Sequence, residues 1–120
     1  MEENHFKKFE EMKVIELPEG YIAYRLGSGD NLELFDIFVN KDERQKGISK
    51  KLVKLMLEAV KDNPPNFSVF GFTAKDNLTA QAFYQAIGFT LILCPLYPLG
   101  AFMYVAEYQK LCDKLFKTDA

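Results

Sequence analysis

Apolar and polar positions change their period twice along the chain. Residues 12–17, MKVIEL, and 21–26, YIAYRL, are short β-type runs, and Pro18-Glu19-Gly20 between them is turn chemistry that predicts a hairpin. Gly27-Ser28-Gly29-Asp30 supplies a second turn before a strand over 32–39, LELFDIFV, so three successive antiparallel strands are expected. From Ile48 the period becomes helical. Ile48, Leu52, Leu55, Met56 and Ala59 recur on one face, with Lys50, Lys51, Lys54, Glu58 and Lys61 elsewhere. Asn63-Pro64-Pro65-Asn66 stops this helix, because proline cannot continue the ladder and turns its predecessor away from helix. Phe67–Thr73 returns to a strand, which makes a right-handed βαβ crossover with parallel strands.

A second helix is predicted over Leu78–Ile87, with Ala80, Phe83, Tyr84 and Ile87 on one face and Gly88 as the residue that closes it. FTLILC, 89–94, is apolar on both parities and reads as a buried strand. A proline-rich loop, Pro95–Gly100, precedes a strand over 101–108, and QKLCDKLFKTDA suits a short helix with Leu111 and Leu115 inward. The fold class expected is α+β, in a layered α/β arrangement. Its sheet is mixed and mostly antiparallel, with a central parallel βαβ pair and two main helices. One domain over 1–120 is expected, since a chain of this length suits a single core.

Composition narrows the function classes. Hydrophobic residues make up 48% and charged residues 27% of the 120 residues, as in ordinary globular chains. A formal net charge of −2 gives no electrostatic case for nucleic acid, whose binders carry a basic excess. Cys94 and Cys112 stand far apart without CxxC or Cys/His spacing, so neither a disulfide framework nor a metal site is expected. They read as small apolar residues rather than nucleophiles. The polar start, MEENHFKKFEE, lacks the apolar core of a signal peptide, and no apolar run reaches the ~18 residues of a membrane span. A cytoplasmic, reduced protein without a membrane partner is the expectation. His5, the only histidine, sits in that polar stretch and is not a candidate catalyst.

Candidate chemistry lies between Val39 and Phe89. The strand ending at Val39 leads through a polar turn to Arg44-Gln45-Lys46-Gly47-Ile48-Ser49 and the first helix. A strand, a glycine-bearing turn and a helix start aim backbone N–H groups and a helix dipole at one point, which suits an anionic cofactor group. The alternative is a plain strand-to-helix connection with an N-cap serine. A second constellation follows, with Asn77 at the start of the second helix, Tyr84 seven residues later, and then Gly88-Phe89. In this order and spacing residues 32–108 resemble the GNAT superfamily of acyl-CoA-dependent N-acyltransferases, whose turn pattern is Q/R-x-x-G-x-G/A.

The resemblance implies two parallel central strands that splay to admit the pantetheine arm of acetyl-CoA. The backbone of Ile37, Phe38 and Val39 would pair with that arm. Arg44, Gln45, Lys46, Gly47, Ile48 and Ser49 would hold the pyrophosphate, with Lys46, Lys50 or Lys51 either adding charge or forming a solvated helix face. Ser49 departs from the family's glycine or alanine; its hydroxyl can donate to phosphate or crowd it. Tyr84 matches the tyrosine that protonates the departing thiolate, a role open to a phenol acting as general acid. The competing reading packs Tyr84 in the core with Phe83 and Ile87. Asn77 would face the cofactor or a catalytic water, or simply cap its helix.

An amine must lose a proton before it attacks a thioester, so a base or a water chain is needed. Some family members carry a glutamate on the strand before the second motif, where this chain has Phe72. Others carry one before the turn, where Glu33 matches, with Asp36 as a second candidate. Strand alternation sets Glu33 and Asp36 on opposite faces unless a bulge intervenes, and for each the alternative is a carboxylate facing water.

Only about eleven polar residues precede the first strand, so the family's acceptor-side wall is expected to be absent or a stub. An open groove suits a protein or peptide amine better than a small metabolite. Phe102, Tyr104, Tyr108 and Tyr97 suggest an exposed aromatic patch that would favour a homodimer or a protein partner. The functional expectation is transfer of an acetyl group from acetyl-CoA to a primary amine by direct attack. A non-catalytic CoA-binding or protein-interaction module of the same fold is the alternative, favoured by Phe72, Ser49 and the missing wall.

Overall fold

The computed structural model describes residues 12–26, 31–62, 68–94 and 101–117. The turn at 27–30, the helix stop at 63–66 with Phe67, the loop at 95–100 with Tyr97, and His5 lie outside the described residues. Nine elements are described beside a 3-10 turn, Lys41–Glu43. The strands are β1 Lys13–Leu17, β2 Gly20–Leu26, β3 Leu32–Val39, β4 Ser68–Ala74, β5 Thr90–Cys94 and β6 Ala101–Glu107. The α-helices are α1 Ile48–Ala59, α2 Leu78–Ile87 and α3 Tyr108–Lys117.

The strands form one mixed sheet in the order β1-β2-β3-β4-β6-β5. Only the β3–β4 pair at its centre joins neighbours in parallel, as a strand–helix–strand connection requires. Helix α1 packs on β1–β3 and on α3, while α3 also packs on β6 and α2. Ile22, Tyr24, Leu32, Leu34, Val69 and Tyr104 point from the sheet into the same core as the helices. Each fully buried Leu or Val there contributes about 1.5–3 kcal/mol relative to exposure.

The buried stripe of α1 is Leu52, Val53, Met56 and Leu57, continued by Val60. Ala59, expected inside, is exposed, and Leu55 is half-buried. The stripe is rotated because α1 meets both the sheet and α3, and apolar spacing alone fixes a face only to within neighbouring positions. β5 corrects a second expectation. It is an edge strand, with Ile92 44% and Leu93 53% exposed. A continuous apolar run signals a buried strand only where layers cover both faces of the sheet, and β5 lies at the sheet edge, where Ile92 and Leu93 remain open.

The aromatic expectation also shifts. Tyr104 is among the most buried side chains, and Phe102 and Tyr108 are half-buried. Among the described residues the exposed aromatics are instead Phe35, Phe38 and Phe72, on the sheet face opposite the helices. No helix among the described residues is long and apolar enough to cross a membrane.

Candidate active site

The parallel pair at the sheet centre stops early. β3 and β4 are in register only at Leu32↔Val69 and Glu33↔Phe70, although β3 runs on to Val39 and β4 to Ala74. Past that point β3 stays bonded to β2 and β4 to β6. Their facing edges, 34–39 and 71–74, are therefore not paired with each other. Side chains and the following turn already serve the Leu34, Val39 and Ala74 carbonyls, and an extended ligand can add strand-type bonds to the remaining backbone of such an edge.

At the wide end of the split lies a cavity of about 710 Å³. Ile37, Phe38 and Val39 line one wall, and Arg44, Gln45, Gly47, Ile48 and Ser49 line its end. The local geometry there is unusual. Gln45 has φ 65° and Gly47 φ 78°, so two left-handed residues turn the chain sharply into α1. For Gln45 this conformation costs about 1–2 kcal/mol, whereas glycine adopts it freely. Gly47, not Ser49, is the N-cap of α1, and no side chain caps the helix. The first N–H groups of α1 therefore lack a side-chain acceptor, and with the helix dipole they form an anion seat.

Arg44 fixes this turn to the strand. Its Nε donates to the Val39 carbonyl at 3.0 Å and its guanidinium lies 6.0 Å from the Phe38 ring centre. Lys50 lines the cavity, whereas Lys46 does not. Lys46 is exposed and pairs with Glu43 at 3.3 Å. The pair partly offsets Glu43, which lines the same cavity and is the one carboxylate there that would repel an anion.

The opposite wall comes from α2. Tyr84 reaches the cavity from inside the core, being only 7% exposed. Its ring stacks on Tyr104 with centroids 3.7 Å apart and planes 9° apart, and Phe89 meets it edge-on at 5.6 Å. The packing reading and the chemical reading thus hold for the same residue. Burial pushes the Tyr84 phenol above its ordinary pKa, the Tyr104 hydroxyl opposes this, and the Asp36 carboxylate adds to it. Asn77 also lines the cavity and caps α2, its Oδ1 accepting from Ala80 N–H at 3.1 Å. Such a cap contributes about 0.5–2 kcal/mol.

The two candidate carboxylates lie outside the cavity lining, on the sheet face away from the helices. Ala23 pairs with Asp36 but Tyr24 with Leu34, so Phe35 is an extra residue, a β-bulge. The bulge reverses the alternation and brings Glu33 and Asp36 to one face. Glu33 meets Arg25 at 3.4 Å. Asp36 accepts from the Tyr21 hydroxyl at 2.7 Å, and Tyr21 stacks on Phe38. Phe72 occupies the same face, 37% exposed and edge-on to Phe70.

Of the lysines the sequence offered for the phosphates, Lys50 lines the cavity; the cavity residues that sequence reasoning missed are Glu43, Thr79, Ala80, Phe83 and Ile87. Helical spacing from Tyr84 marks Ala80, Phe83 and Ile87 as its neighbours; no pattern marked Glu43 or Thr79. Among the described residues no three His, Cys, Asp or Glu side chains gather to hold a metal ion.

A model of the Acetyltransferase (GNAT) family matches residues 11–89. Human N-acetyltransferase 8 is 36% identical over 58 residues, which make up 48% of this chain and 25% of that protein. A GNAT-family protein from Desulfovibrio desulfuricans superposes with a TM-score of 0.68 at 17% identity, over 78% of this chain and 65% of that one. The PaiA N-acetyltransferase of Thermoplasma acidophilum, solved in complex with coenzyme A, gives 0.65 at 18% identity, over 75% and 54%. At those identities the structural likeness is one of fold. The chain spans less than two thirds of the length of each of these proteins.

Proposed function

The chain belongs to the GNAT acetyltransferase family, and from that premise we propose that it transfers an acetyl group from acetyl-CoA to a primary amine by direct attack. The observation that carries the reading is the split between β3 and β4, which opens onto the uncapped start of α1. The edge of Ile37–Val39 that β4 leaves offers strand-type hydrogen bonds to the amides of a pantetheine chain, with the Val39 carbonyl already held by Arg44. The amides at the turn and helix start, with Arg44 and Lys50, suit a diphosphate. Acetyl-CoA supplies the thioester carbon; the amine forms the new C–N bond as the C–S bond breaks.

Tyr84 is the proton donor to the departing sulfur. Its raised pKa keeps the phenol protonated at neutral pH, so it holds a proton against the sulfur as the C–S bond breaks. Because it is a weaker acid than a free thiol, it acts by hydrogen-bonding the developing thiolate and passing on the proton as the product amide forms. Asp36 is the preferred base over Glu33, because Glu33 is engaged by the Arg25 cation and Asp36 only by a neutral phenol. The absence of a cysteine from the cavity lining favours direct attack over an acyl-enzyme.

On the acceptor side, Phe35, Phe38 and Phe72 lie open beside the two carboxylates. This shallow, apolar and acidic surface suits a peptide or protein amine better than a small metabolite. Phe72 at the position of one family base also favours the second reading, a CoA-binding module without turnover. Calorimetric titration with acetyl-CoA, followed by a thiol-release assay over amines and peptides, separates them. Binding with turnover supports the enzyme, binding without turnover selects the module, and no binding removes both.

A further inference from the structure

The β3–β4 split raises a question of hydrogen bonding at the point where it begins. Leu34 is the first residue of β3 after the last parallel pair, and its carbonyl points toward β4 at Gly71. Had the strands stayed together, a backbone N–H of β4 would serve it. A buried carbonyl without a donor is costly. The donor present is the Tyr104 hydroxyl, 3.1 Å from the Leu34 oxygen in a buried bond.

Tyr104 reaches that place through three independent features. Register sets it opposite Gly71 on β4. Gly71 leaves room, since a Cβ there would strike both the Tyr104 phenol and the Leu34 oxygen. Tyr84 stacks on its ring at 3.7 Å and Phe89 closes on it edge-on at 5.2 Å, so the ring is held from two sides. The bulge at Phe35 follows directly on Leu34, just where the pairing of β3 with β4 has ended.

We infer that Tyr104 is a positioning residue for the donor. Its hydroxyl replaces the ladder bond that β4 gives up at Leu34, and so keeps β3 and β4 apart before any ligand enters. The inference rests on the acetyl-CoA reading for the ligand's identity, an extended amide-bearing thioester chain, but the wedge itself is a property of the free protein. Because the same ring carries Tyr84, the opening of the slot and the placement of the proton donor are one packed unit. Burial, with the neighbouring Tyr84 hydroxyl and the Asp36 and Glu33 carboxylates, holds the Tyr104 phenol well above its ordinary pKa. It therefore stays a donor to Leu34 throughout the usable pH range.

The test compares Tyr104→Phe with Tyr108→Phe. Tyr108 donates to the Leu57 carbonyl at 3.2 Å, so its removal deletes the same kind of bond away from the split. Amide hydrogen exchange is followed in the free proteins, and acetyl-CoA affinity by calorimetry. In Tyr104→Phe the Leu34 carbonyl recruits a β4 N–H, so exchange at 71–73 slows and affinity falls about tenfold. In Tyr108→Phe exchange at 71–73 and affinity stay within about twofold of the parent. Unchanged exchange at 71–73 in Tyr104→Phe, faster exchange there, or equal effects of the two substitutions would overturn the wedge. If the parent protein binds no acetyl-CoA, the acetyltransferase reading fails while the exchange result still decides the role of Tyr104.

Discussion

The two sides of the central split are made of different material. On the helix side, the cavity end is backbone: contiguous amides of one turn and the start of α1, aimed by the positive φ angles of Gln45 and Gly47. On the opposite face the candidate acceptor surface is made of side chains. Tyr21, Arg25, Glu33, Asp36 and Phe38 come from two strands, and a bulge brings them together. A backbone site is written in one short stretch of sequence, because its donors are consecutive residues. A side-chain site depends on register and can change residue by residue while the fold stays.

The largest test of this division is Tyr84→Phe, where the two sides meet. If Tyr84 donates the proton, thiol release falls by about 10²–10⁴-fold, while calorimetric acetyl-CoA affinity stays within about twofold, since the ring and its stack are retained. The sign of the pH dependence follows from burial. A pKa raised above the ordinary value of about 10 keeps the acid protonated as pH rises. The alkaline fall in kcat attributable to this group therefore begins above about 10 in the parent and is missing from Tyr84→Phe. Full activity in the variant would remove the residue from the chemistry and leave it as packing.

Asp36→Asn probes the acceptor face. Loss of a general base lowers kcat/KM for the amine by about 10²-fold with donor affinity unchanged. Glu33→Gln, which breaks the pair with Arg25, is expected to act chiefly on stability, by about 0–1 kcal/mol as for other partly exposed pairs. Steady-state rates beside a thermal melt separate the two. A larger rate loss for Glu33→Gln would exchange their roles.

The same division explains what could be read from the sequence. β3 and α2 fall at their expected boundaries, since each is a clean period bracketed by turn or cap residues such as Asn77 and Gly88. The turn and Asn77, Tyr84 and Gly88-Phe89 stood out because their spacing is local. The bulge at Phe35 was not legible, because LELFDIFV contains no glycine or other sign of an inserted residue, and with it went the side to which Glu33 and Asp36 point. The sequence places Tyr104 in an aromatic surface patch, whereas it is a core residue bonded to a carbonyl 70 positions away. Only the pairing of β4 with β6 makes sense of Gly71 and Tyr104 together.

Gly47→Ala tests the backbone side with a smaller effect. Nothing lies within 4 Å of the added Cβ, so the cost is conformational, about 1–2 kcal/mol for a left-handed residue with a side chain. Relaxation of φ to avoid that cost rotates the first amides of α1 away from the anion seat. Acetyl-CoA affinity is expected to fall about tenfold, with little change for a pantetheine fragment that lacks the diphosphate. Equal losses for both ligands would place the effect on the fold rather than on the phosphate seat.

The smallest effect separates charge from backbone within that seat. Lys50 lines the cavity, whereas Lys46 is exposed and tied to Glu43. Lys50→Ala is expected to weaken acetyl-CoA binding about three- to fivefold at low salt and less at higher ionic strength, as a partly solvated charge is screened within about 10 Å at 0.1 M. Lys46→Ala frees Glu43 beside the cavity but removes no donor from it, so its effect should stay within about twofold. A salt-dependent loss for Lys46 equal to that for Lys50 would mean that the seat works through long-range charge. Near-equal retention in both variants would leave the amides of the turn and helix as the groups that hold the diphosphate, the arrangement that a backbone-built site requires.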